Sequence, residues 1–414
     1  MTSTPSPSPS DHSASAGGGA RKLHILALDP LFHLADQAGP TRTFDLAQRL
    51  VQAGHQVSVL TTSAAHNADA DVAPGLDISL VRTNGRARFG YPIMPTVLDA
   101  FARALFWRIW GFKDVDAVLA TDQPFAALPV VLLFCAIRGI PLILDAREGP
   151  PPRPDQSTPL GMRIARRLRR GAYRLATQGM RAVIAQSPGT GNALAALGIS
   201  ETKILVREPG CDTALFTTSA GGAPSALATH PHLAHGPLVV YAGAMTATRR
   251  LDMILDLAAV MQSDAADVAF AMCGDGPSRA QLEARARELG VLNKNVWFLD
   301  PLSRRDLPPL LGAASAIVVG GSMAESGDSF GRFFDALAAA RPVVVTEAGW
   351  HREIIEGRGA GLGLPDDIPA AARELADFLR DGDGLRRASQ QAAALAAGRF
   401  NVDRTASAVR KLIE

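Results

Sequence analysis

A glycine-containing loop, Gly320 to Asp328, separates a short apolar run from a stretch with helical periodicity. The apolar run Ala316 to Val319 has the β-branched character of a strand that is buried on both faces. The helix is predicted to begin at Asp328 or Ser329 and to end before Pro342. A helix that opens at the carboxyl end of a parallel strand points free N–H groups into the crevice where ligands bind, which favours an anion there. Phe330, Phe333, Phe334 and Leu337 fall on one helical stripe that faces the sheet, which leaves Arg332 and Asp335 on its flanks. The candidate contacts with the anion, at the amino end of the helix, are Ser329, Phe330, Gly331 and Arg332.

The rest of the chain has the element order needed to build such a site. From Lys22 onward, apolar strands and amphipathic helices alternate, beginning with LHILAL, TFDLAQRLVQAG and HQVSVLTT. This βαβ pattern predicts parallel sheets with right-handed crossovers, and 414 residues exceed what one core usually holds. We therefore predict an α/β protein with two doubly wound, Rossmann-like parallel-sheet domains that face a cleft.

The run FFDALAAARPVVV, followed by EAGWHREIIEGRGAGL, resembles the nucleotide-binding signature of glycosyltransferase family 4. Members of that family are retaining enzymes of the GT-B fold that move a sugar from a nucleoside diphosphate. The resemblance implies that Asp335 accepts hydrogen bonds from two ribose hydroxyl groups of the donor, which suits the two oxygens of a carboxylate. Taken alone, Arg332 and Asp335 would also fit a solvated i,i+3 ion pair on a helix surface.

Two positions depart from the family pattern. Many members carry a glutamate eight residues before the ribose-binding acid, and Gly327 stands at that position here. Whether Glu325 or Asp328 replaces that glutamate is left open by the sequence. The glycine that the family places before the arginine is also replaced, by Ala340.

Further motifs along the chain fit the same family. In YAGAMTATRR, the spacing of Gly243 and Arg249 resembles that of the glycine and the basic residue that contacts the donor diphosphate. A basic group is needed there because negative charge accumulates on the departing diphosphate. Arg250 is available to supply a phosphate contact where Ala244 replaces a frequent arginine. The other residues that the resemblance assigns to the ligands are Gly39 in AGPTR, Gly274 and Gly276 in CGDGP, and Leu302 near the base.

The run PLILDAREG is predicted to be a strand ending in a polar loop, where many family members carry a histidine that contacts the donor sugar. Arg147 and Glu148 occupy this neighbourhood, and together with Arg249 they are the predicted catalytic residues. Arg147 is expected either to donate a hydrogen bond to the sugar or to pair with a carboxylate, and the sequence favours neither. No nucleophile with an adjacent base is evident, so the predicted mechanism relies on electrostatic stabilisation of the leaving group.

The predicted organisation has five segments. Residues 1–21 are rich in Ser, Pro and Gly without an apolar stretch, so a disordered tail is expected and not a secretion signal. Residues 22–216 are expected to form the domain that binds the acceptor, and 217–236 a linker of small residues. Residues 237–396 are expected to form the nucleotide-sugar domain. By resemblance, a helix over 397–414 should pack back on the first domain.

Composition limits the partners. The formal net charge of +2 gives no reason to expect nucleic acid. The three cysteines, Cys135, Cys211 and Cys273, lie far apart, so no disulfide framework or metal site is expected, and no cofactor besides the donor substrate. These features favour a cytoplasmic protein. Two amphipathic basic stretches, 98–110 and 163–174, are expected either to contact the inner face of a membrane or to be solvated, core-packed helices.

The predicted function is transfer of a sugar from a nucleoside diphosphate sugar to a hydroxyl group, with retained anomeric configuration and without a metal. The acceptor is expected to be a carbohydrate or a lipid-linked sugar in surface-polysaccharide or glycolipid assembly. Two alternatives fit the same fold. One is a nucleotide-sugar-binding protein without transfer activity, and the other is a nucleotide-sugar 2-epimerase.

Overall fold

The structure is a computed structural model that describes residues 21–34, 41–62, 74–81, 94–147, 149–151, 160–218, 230, 233, 235–265, 267–321 and 329–414. Among the sequence-based predictions, Gly39, Glu148 and residues 1–20 lie outside the described residues. The alternatives for the missing glutamate, Glu325 and Asp328, lie outside them as well, and so does most of the predicted linker.

The described strands and helices alternate along the chain, as the sequence predicts. The strands are β1 His24–Leu28, β2 Gln56–Thr62, β3 Leu76–Val81, β4 Ala117–Thr121, β5 Leu142–Ala146, β6 Ala182–Ala185, β7 Ile204–Val206, β8 Leu238–Ala242, β9 Ala269–Cys273, β10 Val296–Leu299, β11 Ala316–Val319, β12 Val343–Val345 and β13 Gly361–Gly363. The helices are α1 Arg42–Gln52, α2 Met94–Arg108, α3 Leu128–Arg138, α4 Leu160–Gln178, α5 Pro188–Ala195, α6 Thr213–Thr218, α7 Leu251–Asp264, α8 Arg279–Glu288, α9 Leu307–Ala313, α10 Ser329–Ala338, α11 Trp350–Arg358, α12 Ile368–Arg380, α13 Gly382–Ala397 and α14 Val402–Ile413.

The strands form two separate sheets in which every described pair is parallel. The first sheet has the order β3-β2-β1-β4-β5-β6-β7, and the second has the order β10-β9-β8-β11-β12-β13. In both sheets the order reverses beside the first strand, β1 or β8, which is where ligands of doubly wound sheets bind. The α/β class with two Rossmann-like domains is confirmed.

Helices cover both faces of each sheet, so most strand side chains are buried. In the second domain, α10 packs on one face through Phe333, Phe334 and Leu337, which are all buried. The sequence predicts this stripe from the spacing of the apolar residues. The opposite face packs against α7 and α12. Because α10 is fixed along this whole face, the orientation of its polar residues is fixed too.

Helix α2 resolves part of the alternative that the sequence left open for residues 98–110. Phe101 and Leu105, which either a membrane surface or the core could have held, are buried in the core of the first domain, as is Ile109. These three residues recur every four positions, which places them on one helix face toward the sheet. Phe106, Trp107 and Trp110 are exposed. Within the described residues, no helix is long and apolar enough to cross a membrane.

The chain passes between the domains twice, and the two crossings lie side by side. The backbone N–H of Cys211 donates to the carbonyl of Phe400, and Val402 N–H donates to the carbonyl of Cys211. Beyond the second crossing, α14 packs on α1 of the first domain through Ala406, Val409 and Ile413. The last helix of the chain therefore belongs to the core of the first domain.

Gly210→Ala is expected to lower the free energy of unfolding by about 2 kcal/mol, because the added methyl group would overlap the backbone of Val402 at the crossing. Urea unfolding followed by circular dichroism measures the change. The control is Gly357→Ala in α11, where nothing lies within 4 Å of the new methyl group, so stability should be unchanged or raised. Equal stability of the Gly210 variant and the wild type would show that the crossings tolerate separation.

Candidate functional site

The candidate site lies at the carboxyl edge of the second sheet, where the loops after β8, β9, β11 and β12 meet. Gly243 follows β8 directly, and Gly320 follows β11, its neighbour in the sheet. A Cβ atom on Gly243 would lie 3.8 Å from Cγ of Arg332, which places the β8 loop beside the first turn of α10. Motifs that are about 90 residues apart in sequence therefore share one edge, as parallel strands require.

Arg249 runs along the Gly320–Gly321 segment at this edge. A Cβ atom on Gly320 would lie 2.5 Å from the Arg249 carbonyl oxygen, and one on Gly321 would lie 3.0 Å from the Arg249 Cδ. The residue is only 7% exposed, and within the described residues its guanidinium forms no ion pair and its Nε has no hydrogen-bond partner. A buried charge without a counter-ion is costly. An anionic ligand would supply the missing charge.

Gly274 and Gly276 are needed for contacts within the protein. Both have positive φ, 145° and 155°. A Cβ atom on Gly274 would overlap the Gly243 carbonyl, and one on Gly276 would overlap the Met245 carbonyl. The two glycines therefore hold the loops after β8 and β9 against each other. By packing on its carbonyl groups, the two glycines support the backbone of the β8 loop.

Asp335 lies on α10 with its carboxylate between two arginines. Arg332 Nη1 donates to Oδ2 at 2.8 Å, and Arg304 Nε donates to Oδ1 at 3.3 Å. The residue is 3% exposed. The i,i+3 pair with Arg332 that the sequence offered as an alternative is present, but it is largely buried and includes a third residue. Each carboxylate oxygen retains one lone pair for a further donor.

Arg304 is a site residue that the sequence reasoning missed. It lies between β10 and α9 of the second domain, and its Nη1 reaches α1 of the first domain, 2.7 Å from Asp45 Oδ1 and 2.6 Å from Thr41 Oγ1. Burial disfavours its charged form, but Asp45 and Asp335 outweigh that effect and raise the pKa of Arg304 above its usual value. The sequence contains no signal that separates Arg304 from Arg305, which is exposed.

Other predicted residues lie nearby in different roles. Arg250 adopts a left-handed conformation before α7 and pairs with the exposed Asp366 at 3.1 Å. Leu302 packs on the core of the second domain beside Cys273. For Ser329 and Phe330 the backbone lies in the first turn of α10, and Gly331 has no atom within 4 Å of where a Cβ would be.

Arg147 lies at the carboxyl edge of the other sheet, and the structure gives it carboxylate partners. Its Nη2 donates to Asp29 Oδ2 at 2.7 Å, and its Nε lies 3.5 Å from Asp145. Arg42 also donates to Asp145, at 3.0 Å. Burial alone would raise the pKa of Asp145, but the two guanidinium groups outweigh it and hold that pKa below its usual value. Of the alternatives that the sequence left open, the structure shows pairing with a carboxylate.

Thr346 and His351 were also missed by the sequence reasoning. Thr346 follows β12, and within the described residues its hydroxyl oxygen and both ring nitrogens of His351 are buried without a hydrogen-bond partner. The His351 ring packs on Phe333 and next to Gly349. Burial lowers the pKa of His351 to about 4, so the ring is neutral at pH 7. Single polar residues in apolar runs give no sequence signal of this burial.

Two family models match the chain. The Glycosyl transferase 4-like domain matches residues 39–210, and the Glycosyl transferases group 1 model matches residues 228–395. Together they cover most of both domains and the motifs around Arg249 and Asp335. The chain belongs to the group 1 glycosyltransferases of family 4.

Similar proteins agree with this membership. A D-inositol 3-phosphate glycosyltransferase of Salinispora arenicola is 32% identical over 222 residues, which are 50% of this chain and 48% of the relative. The family 4 chain thus spans about half the length of the curated relative that it matches.

Solved structures show the same architecture. Sucrose-phosphate synthase from Thermosynechococcus elongatus superposes with a TM-score of 0.70 at 16% identity, over 94% of this chain and 98% of that one. The Anabaena protein HepE in complex with UDP and glucose superposes with a TM-score of 0.65 at 18% identity, over 94% and 98%. At these identities the likeness concerns the fold, which is GT-B for this family 4 member as well.

His351→Phe is expected to remove part of the loss of stability in acid. Between pH 6.5 and about 4 the unfolded chain binds a proton that the folded chain does not. The free energy of unfolding therefore falls as the pH is lowered, and this residue accounts for about 2 kcal/mol of that fall between roughly pH 7 and 5. Thermal unfolding across that range measures the effect. Trp350→Phe disturbs the same aromatic cluster without removing a titrating group, so it should keep the wild-type pH dependence. A wild-type slope in the His351 variant would refute the prediction.

Proposed function

We propose that the protein transfers a sugar from a nucleoside diphosphate sugar to a hydroxyl acceptor, with retained configuration. The observation that carries the proposal is the buried Arg249 guanidinium, which lacks a counter-ion among the described residues at the edge that also holds Asp335. In a nucleoside diphosphate, the diphosphate would pair with Arg249 and the ribose hydroxyl groups would donate hydrogen bonds to Asp335. Family membership supports the same assignment.

We assign the donor contacts residue by residue. Arg249 would bind the diphosphate, with the amino end of α10 contributing backbone N–H groups. Asp335 would accept hydrogen bonds from the two ribose hydroxyl groups through the lone pairs that Arg304 and Arg332 leave free. We assign Arg147 to shaping its loop, because Asp29 and Asp145 already neutralise its charge.

The proposed chemistry is electrostatic. As the bond between the anomeric carbon and the diphosphate oxygen breaks, Arg249 stabilises the negative charge that develops on the leaving group. The acceptor oxygen forms its bond on the same face, and its proton passes to the departing phosphate oxygen. We propose that this route needs neither a protein nucleophile nor a metal.

Transfer is favoured over the two alternatives by the comparisons. Both matched models are those of glycosyltransferases, and the matched relative is named as one. HepE holds UDP and glucose in its structure, which supports a nucleotide-sugar donor for this chain. An epimerase would release products without an acceptor, and a binding protein would show neither transfer nor donor hydrolysis.

A thermal-shift screen with UDP, GDP, ADP and TDP, followed by donor hydrolysis and transfer assays, tests the proposal. A nucleotide at 100 times its Kd should stabilise the protein by about 2.7 kcal/mol. Arg249→Ala should depress kcat/KM by ~100-fold, the scale for losing one contact to developing negative charge. Arg287→Ala, at an exposed position near the end of α8, is the control and should stay close to wild type. Unchanged kinetics in the Arg249 variant would remove that residue from the mechanism.

We also propose that the first domain contacts a membrane surface that carries the acceptor. Several large apolar side chains are exposed on adjacent helices of this domain, including Trp107 at 78% and Leu175 at 72%. Helix α3 packs between α4 and the turn after α2, and its Leu133 and Ile137 are exposed as well. The three helices therefore present one apolar surface, wider than the two stretches that the sequence indicates.

The charge of this surface favours anionic lipid. Helix α4 contains no acidic residue, and Arg167, Arg169 and Arg174 are exposed beside its apolar positions Leu168 and Leu175. A basic amphipathic helix of this kind lies in the interface of a bilayer, with each basic residue contributing roughly 1 kcal/mol near anionic headgroups. Protein partners would have to match the same mixture of arginine and exposed leucine.

The double variant Arg167→Glu/Arg174→Glu should bind vesicles containing phosphatidylglycerol at least ~10-fold more weakly than wild type, because each reversal removes attraction and adds repulsion. Co-sedimentation at low salt measures binding, with phosphatidylcholine vesicles as the neutral reference. Arg287→Glu, an exposed position on α8 of the second domain, should leave binding unchanged. Failure of the wild type to sediment with either vesicle would rule out the membrane contact.

A further inference from the structure

Arg304 lies at the centre of a polar contact between the two domains. We call Arg304 with its three partners, Asp335, Asp45 and Thr41, the interdomain cluster. Arg304 is 6% exposed, and each of its three partners is buried. Asp335 belongs to the candidate donor site, whereas Asp45 and Thr41 belong to the first domain. A single guanidinium thus touches both sides of the cleft.

The two ends of the Arg304 guanidinium have different partners. Nη1 is fully engaged by the first domain, at 2.6 Å from Thr41 Oγ1 and 2.6 Å from Asp45 Oδ2. Nε faces the second domain and donates to Asp335 at 3.3 Å. Because a guanidinium is planar and rigid, fixing Nη1 fixes the direction of Nε. The position of α1 therefore sets the direction from which Asp335 is held.

The bond to Asp335 leaves the carboxylate usable. Arg304 takes one lone pair of Oδ1 and Arg332 takes one of Oδ2, so one remains on each oxygen. Two ribose hydroxyl groups require two acceptor positions in one plane. Without Arg304, the carboxylate would be held only by Arg332 on its own helix, three residues away. Buried ion pairs contribute more reliably to geometry than to stability.

We propose that Arg304 is a positioning residue for the donor nucleoside, which couples occupancy of the donor site to closure of the cleft. The proposal rests on the proposed function, because it takes Asp335 as the ribose contact. When the domains are together, Asp45 and Thr41 orient Arg304, and Arg304 orients Asp335. By reciprocity, a nucleotide that binds the oriented carboxylate more tightly must favour the closed arrangement by the same factor.

Asp45→Asn tests the coupling from the opposite domain. Asp45 pairs with Arg304 and also interacts with Arg49 and Asp212, but it pairs with no residue that we assign to the donor. An effect of Asp45→Asn on nucleotide affinity that Arg304→Gln reproduces is therefore expected to pass through Arg304. We expect about a tenfold rise in the Kd for UDP, or for whichever of UDP, GDP, ADP and TDP binds the wild type. Arg304→Gln should raise the Kd at least as much, and the double variant no further, because both changes break one chain of contacts. Isothermal titration calorimetry measures each Kd.

The matched control is Arg399→Gln, at the crossings between the domains. Arg399 connects the two crossing segments through Glu208, and among the described residues it has no hydrogen bond or ion pair with the interdomain cluster. It should leave the nucleotide Kd unchanged. Thr41→Val removes a single hydrogen bond from Arg304 and serves as a milder probe if Asp45→Asn fails to fold.

Small-angle scattering supplies a second measurement. The wild type should become more compact when it binds nucleotide, and Asp45→Asn should lose part of that change. If Asp45→Asn, Thr41→Val and Arg304→Gln all bind nucleotide like the wild type, Arg304 is only a structural contact, and the proposal is wrong while the proposed function stands. If the wild type binds none of the four nucleotides, the proposed function fails and the proposal fails with it.

Discussion

The direction of the strands is the constraint on which both domains depend. Every described strand pair is parallel, so the segment that leaves each strand emerges at the same edge of its sheet. That single fact brings Arg249, which follows β8, against Gly320 after β11, and it places Gly243 beside Arg332 in the first turn of α10. No local contact needs to recruit these residues to one another. The helices on either face fix the strands, and the polar loops therefore lie together at the carboxyl edge of each sheet.

The arginines at these edges differ in what neutralises them. Arg147 has Asp29 and Asp145, and Arg304 has Asp45 and Asp335, so both are satisfied within the protein. Arg249 is 7% exposed and has no carboxylate partner among the described residues. A buried charge is costly unless it is paired, and this contrast is the reason that we propose Arg249, and not Arg147 or Arg304, as the residue that binds the anionic donor.

Local patterns determined which features were predictable from sequence. The stripe of Phe333, Phe334 and Leu337 fixes α10 on the sheet, because apolar residues at helical spacing have one way to be buried. Arg304 and Asp45 were not predictable, since their partnership joins residues 259 positions apart and neighbouring Arg305 looks the same in sequence. Gly274 and Gly276 were predicted as site residues, and the structure adds that their close approach to carbonyl groups of the β8 loop also requires glycine there, while their contact with a donor stays a prediction. Sequence spacing does not reveal packing between distant segments, such as the partnership of Arg304 and Asp45.

Two buried carboxylates, one within the first domain and one at the boundary between the domains, differ in how their ionisation is balanced. Within the first domain, Arg42 and Arg147 overcome burial and keep the pKa of Asp145 low, so its network favours the ionised form. At the boundary, burial raises the pKa of Asp45, and its attraction to Arg304 does not fully compensate. The two carboxylates Asp45 and Asp335 nevertheless raise the pKa of Arg304, so the guanidinium stays charged while burial opposes the ionisation of Asp45. If Arg304 positions Asp335 as we propose, this contact would fix the geometry of the closed cleft, and the opposition of burial to the ionisation of Asp45 would help the cleft to open for donor entry and product release.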